Sequence, residues 1–99
     1  MPDPNNSGSQ NITADGAVGT SGASTRVYSI HIVSGATAAI VSFYNNTSAT
    51  GTAFLKLTGT ISTGATFEFG TYGAVFNSGC FVDVDANTVS VLVSYSQGN

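Results

Sequence analysis

The sequence predicts an all-β fold, a small β-sandwich or jelly-roll-like barrel of six to eight short strands preceded by a flexible N-terminal arm. Three observations carry this prediction. From Arg26 onward apolar and polar residues alternate with a period of two, the mark of half-buried strands. Clusters of Gly, Asn, Asp, Ser and Thr interrupt these runs roughly every 8–12 residues, the spacing of sandwiches and barrels. No segment carries the apolar repeat of an amphipathic helix.

Residues 1–24 hold only Ile12 and Val18 as sizeable apolar groups. Burying two side chains does not offset the ordering entropy of so long a polar segment, so residues 1–24 are expected as an arm and 25–99 as the β domain. Either the arm has no role, or it orders against a partner as an added strand through Ile12 and Val18. In the first strand Tyr28, Ile30 and Ile32 point one way and Val27, Ser29, His31 and Val33 the other. Ser34-Gly35-Ala36-Thr37 reads as a turn. Ala39, Val41 and Phe43 then alternate with Ile40, Ser42 and Tyr44, up to the turn-rich run Asn45–Gly51. Ala53, Leu55 and Leu57 share one face of a third strand, opposite Phe54, Lys56 and Thr58. After Gly59–Gly64, Phe67 and Phe69 flank an outward Glu68 in a short fourth strand. Ala74-Val75-Phe76 and Cys80–Val84 supply a fifth strand interrupted at Asn77-Ser78-Gly79. Asp85-Ala86-Asn87-Thr88 has hairpin composition and leads into a sixth strand, where Val89, Val91, Val93 and Tyr95 alternate with Ser90, Leu92 and Ser94.

With 99 residues the chain is one small domain. Arg26 and Lys56 are its only basic residues, too few for the positive stripe that neutralises phosphates, so neither nucleic acid nor an anionic membrane surface is an expected partner. Only 7% of residues are charged, and the Ser and Thr hydroxyls keep the surface wet instead. The first residues carry no basic and apolar leader pattern, so export by a signal peptide is not expected. The longest apolar run, Ala38–Val41, falls far short of the roughly 20 residues of a spanning helix. A lone cysteine, Cys80, forms no internal disulfide, which leaves packing to hold a small core. Oligomerisation or docking onto a larger body is the expected supplement. Val27, Val33, Phe54, Phe81 and Leu92 fall on nominally outward positions, and Ile12, Val18, Phe54 and Phe81 are the candidate partner contacts.

No catalytic or metal-binding constellation emerges. His31 with Cys80 would need an orienting third group, and Cys80 sits in the apolar row of Val82 and Val84, where a thiol serves packing. One His and one Cys do not complete a zinc site. Asp83, Asp85 and Asn87 match the first oxygen ligands of a calcium loop, but Thr88 stands where that loop needs Gly and Ser94 where it needs Glu. Glu68 and Asp83 are the only carboxylate pair to nominate for glycosidase chemistry, and they lie on separate strands. Gly70-Thr71-Tyr72-Gly73 lacks the Lys and helix of a phosphate loop. Tyr28, Tyr44, Tyr72 and Tyr95 suit either a stacking platform for sugars or ordinary packing on a half-buried β surface. No cofactor is expected.

Thr25–Ile30, Phe43-Tyr44-Asn45-Asn46, Val75–Asp85 and the closing Val89–Tyr95 run resemble small virion proteins of tailed bacteriophages, whose chains close on a Val-rich strand with a terminal Tyr. The likeness covers residues 25–96 and leaves the leader out. It implies a β-rich head-decoration (cement) or head-fibre protein without catalytic residues. Such a protein is made in the host cytoplasm and sits on the outer capsid surface, bound to the major capsid protein or another virion protein, with a homotrimer as the expected assembly. A carbohydrate- or receptor-binding module of a head or tail fibre is the alternative.

Overall fold

The structure, a computed structural model, describes residues 7–60 and 64–97. Residues 1–6 of the expected arm and Ile61-Ser62-Thr63 of the expected third turn lie outside them. The strands are β1 (Ser7–Ile12), β2 (Gly16–Ala17), β3 (Thr25–Ser34), β4 (Ile40–Asn45), β5 (Leu55–Thr58), β6 (Ala65–Glu68), β7 (Ala74–Phe76), β8 (Cys80–Val84) and β9 (Thr88–Gln97). Their pairing is nested. β4 pairs β5, β3 pairs β6 and β7, β2 pairs β8, and β1 pairs β9, all antiparallel, as in one long hairpin rolled onto itself. Two further antiparallel ladders, β3 with β9 and β4 with β8, fix the roll. The result is two facing sheets, β1-β9-β3-β6 with β7 also on β3, and β2-β8-β4-β5. This is the double Greek-key winding of a jelly roll, and the chain is an all-β sandwich.

The inward rows fill the space between the sheets. Val27, Ile30, Ile32, Val91 and Val93 of the first sheet meet Val41, Phe43, Cys80 and Val82 of the second. Phe43 and Phe76 are the largest fully buried side chains, their rings 6.4 Å apart and tilted by 47°. Full burial of such a ring contributes about 2–3 kcal/mol.

The structure corrects the N-terminal expectation. From Ser7 on, the segment expected as an arm belongs to the sandwich: β1 pairs β9 over its whole length, β2 pairs β8, and Ile12 and Val18 are buried in the core. They are therefore not exposed partner contacts. Apolar content alone missed this because much of the ordering comes from amide groups. Gln10 donates from Nε2 to the Ala17 carbonyl at 3.1 Å and accepts the Gly19 N–H at 2.7 Å. Buried Gln97 accepts the Thr20 N–H at 3.0 Å and donates to the Val18 and Thr20 carbonyls, both at 3.1 Å, and to Thr25 Oγ1 at 3.0 Å. Gly19, at φ 64°, lies so close to this amide that a Cβ would meet Gln97 at 2.6 Å.

Three smaller expectations also change. Val27 is fully buried, not outward, because Tyr28 is an extra residue between the pairs Val27–Tyr95 and Ser29–Ser94. This bulge resets the alternation, so Val27 and Ile30 both face the core while the Tyr28 hydroxyl meets Ser96 Oγ at 2.9 Å. The expected fifth strand is two strands in different sheets: the chain crosses at Asn77-Ser78-Gly79, where Asn45 Oδ1 accepts the Ser78 N–H at 2.7 Å. Asp85–Thr88 does form a turn, with Thr88 N–H donating to the Asp85 carbonyl, but it joins strands of opposite sheets and not a hairpin.

Candidate functional site

The outward face of the β2-β8-β4-β5 sheet carries a concavity, and the strand register explains it. Ser42 on β4 stands opposite Lys56 on β5 and opposite Asp83 on β8. Along β4, Ile40 and Tyr44 lie two residues to either side, on the same face. A small side chain thus sits at the centre of four large ones. The depression has a volume of about 330 Å³ and is lined by Ile40, Ser42, Tyr44, Lys56, Asp83, Val84 and Asp85. Strand spacing places the Lys56 and Asp83 backbones about 10 Å apart across the floor, and Ile40 and Tyr44 about 13 Å apart along it.

Its polar groups fall into two sets. Asp85 is engaged within the protein: Oδ2 accepts the Ile40 N–H at 3.0 Å, and Oδ1 accepts the Asn87 N–H at 3.0 Å and the Thr88 hydroxyl at 2.9 Å. Desolvation, the largest single influence there, opposes ionisation, but these hydrogen bonds together outweigh it and hold the carboxyl below its ordinary value. Asp15, just before β2, extends the Lys56–Ser42–Asp83 row and accepts the Val84 N–H at 2.8 Å. Desolvation, the Asp15 charge and a proton shared with Asp15 raise the Asp83 carboxyl above its ordinary value. By contrast, Lys56 Nζ, Ser42 Oγ and Tyr44 OH have no hydrogen-bond or ion-pair partner among the described residues.

The other nominated groups are dispersed. His31 lies on the outer face of the first sheet, its Nδ1 2.7 Å from Thr66 Oγ1. Cys80 points into the core from the second sheet, where burial pushes its thiol pKa up to about 12. The two are not brought together. Glu68 is on β6 and Asp83 on β8, in opposite sheets. No group of three His, Cys, Asp or Glu residues able to hold a metal ion occurs among the described residues. The tyrosines do not assemble into one platform: Tyr28 bonds Ser96 on one sheet, Tyr44 lines the depression on the other, and Tyr95 packs at the core margin. Tyr72 is 81% exposed on its glycine-flanked turn, whose carbonyl accepts from Arg26 Nη1 at 2.6 Å.

Of the nominated contacts, Phe81 is half-buried in register with Tyr44. Phe54 is 51% exposed, yet its ring is fixed edge-on against buried Phe76, with centroids 4.9 Å apart at 82°. Sequence reasoning did not single out Lys56, Ser42 or Asp15. A Ser between Ile40 and Tyr44 on one strand face was the available signal, and only the register supplied the other two walls. Comparison with protein-family models, curated proteins and solved structures finds no match to this chain.

Proposed function

We propose that the chain is a structural virion protein that decorates and stabilises a bacteriophage capsid by binding the major capsid protein, assembling as a homotrimer at a local three-fold. The observation that supports it best is Phe54. A ring held edge-on by a buried partner, with half its surface in solvent, is a preorganised aromatic anchor that loses little entropy on docking. The chain as a whole is poor in charge, with only 7% charged residues, which lowers the desolvation cost of covering its surface. The jelly roll supplies a rigid frame for such an anchor and is an architecture of capsid and lectin domains. A cement protein acts by mass action: it binds the assembled lattice in preference to free subunits and so makes rupture costlier.

The test uses particles lacking the protein. They should lose resistance to heat and osmotic shock and regain it when the purified chain is added back, while Phe54→Ala should fold normally yet bind the particles at least about tenfold more weakly. Unchanged resistance overturns the proposal and favours a receptor-binding module.

A further inference from the structure

We propose that the depression around Ser42 is a binding site for a neutral pyranose ring, a function separate from attachment to a shell. Its free polar groups are a cation, two hydroxyls and a carboxyl: Lys56 Nζ, Ser42 Oγ, Tyr44 OH and Asp83, the last sharing only part of its capacity with Asp15. Some such groups elsewhere are paired internally, as Tyr28 is with Ser96, His31 with Thr66, and Gln97 with Thr25, while others such as Glu68 and the Tyr72 hydroxyl stand singly on the surface among the described residues. Here such groups line one depression, with Lys56 Nζ, Ser42 Oγ and Tyr44 OH free of partners among the described residues.

The chemistry of the occupant follows by elimination. An anion would face Asp15, Asp83 and Asp85 against one lysine. A metal ion lacks a ligand set, and a monovalent organic cation would meet Lys56 in the wall. An apolar ligand would strand four polar groups without water. A ring with hydroxyls on its rim and C–H groups on its faces fits all the walls. Asp83 can accept and Lys56 can donate from opposite sides of the floor, Ser42 meets the lower face, and Ile40 and Tyr44 close the ends. Asp85 contributes shape only, both of its oxygens being occupied by the Ile40, Asn87 and Thr88 donors. The volume of about 330 Å³ lies at the low end for ligand sites, and the depression opens on one side, so single-ring affinity should be on the order of millimolar.

The experiment titrates the isotope-labelled full chain with the methyl pyranosides of glucose, galactose and mannose, and with methyl glucuronide, following backbone amide resonances. The expected result is saturable shifts at Ser42, Tyr44, Lys56 and Asp83 with at least one neutral probe and weaker binding of the glucuronide. Ser42→Leu, which fills the floor, and Lys56→Met, which removes the rim donor, should each weaken binding by about tenfold or more, with the remaining resonances unmoved. Three outcomes overturn the proposal: no saturable shift on this face with any neutral probe, binding unchanged in both variants, or tighter binding of the glucuronide. None of them bears on particle stability, so this site and the decoration role stand or fall separately.

Discussion

Replacing Gln97 by alanine should destabilise the protein by about 2–4 kcal/mol. The amide nitrogen has two protons for three acceptors, the carbonyls of Val18 and Thr20 and the Thr25 hydroxyl, and the amide oxygen takes the Thr20 N–H. Alanine removes all four contacts. Thr20 is exposed and recruits water, and Thr25 keeps its bond to the Ala23 carbonyl at 2.8 Å, but the Val18 carbonyl is left without that donor in a buried residue. Three effective hydrogen bonds at about 0.5–1 kcal/mol each, two of them at groups that water or another donor can partly serve, plus about 1 kcal/mol for one stranded buried group, give the range. Urea unfolding reads it as a lowered midpoint at unchanged m, and thermal melting as a fall of roughly 10–25 °C. Hydrogen exchange should quicken first at residues 18–20. A companion chain beginning at residue 25 should not fold cooperatively, since it lacks Ile12, Val18 and the partner strand of β9. A loss under about 0.5 kcal/mol in Gln97→Ala, or a cooperatively folding chain from residue 25, would refute the assignment of residues 7–24 to the body of the sandwich.

Asp15→Asn keeps the acceptor for the Val84 N–H but removes the charge that, after desolvation, helps raise the Asp83 carboxyl. In the native chain the folded state holds that proton more tightly than the unfolded one. This contribution to stability should therefore decline as pH rises from the ordinary carboxylate value through the raised one, and the decline should be shallower in the variant, as pH-series melts would reveal. Cys80, with its thiol at about 12, should resist alkylation near pH 8 in the native protein, where only about one thiol in ten thousand is ionised, and react promptly in denaturant. Gly73→Ala should lower the melting temperature by roughly 5–15 °C, since it forces a side chain onto φ 71° and within 2.6 Å of the Val27 carbonyl at the β3 bulge.

Alternation made much of the fold legible. The inward rows Val41–Phe43 and Val91–Val93 and the outward Lys56 and Glu68 follow from a period of two, and these face assignments hold in the structure. What alternation cannot encode is a change of sheet. Cys80–Val84 continues the pattern of Ala74–Phe76, yet a three-residue crossing sends the two to opposite layers. Nor can it encode a bulge, since one extra residue at Tyr28 reverses the face of everything before it, and Val27 moves to the core. The N-terminal strands escaped for a different reason. Gln10, Asn11, Gly16 and Ala17 look like leader composition, and their order depends on partners some 60 to 85 residues away in β8 and β9, a long-range closure that no local window contains.

The depression around Ser42 depends on that same long-range information. Ile40, Ser42 and Tyr44 are readable from one strand, but a floor becomes a pit only when both lateral neighbours are large. Those neighbours are fixed by two independent ladders, β4 with β5 and β4 with β8. A slip of one residue in the β8 ladder would set Val82 or Val84 opposite Ser42 and turn the Asp83 carboxyl toward the core. Such a slip is strongly opposed, because it would also expel Val82 and Cys80 from the interior, where both are fully buried. The aliphatic core therefore does more than hold the two sheets together. By locking the register of β8 it keeps a carboxyl and an amine on opposite sides of one small hydroxyl, so the chemistry of the outer face is set by packing on the inner one.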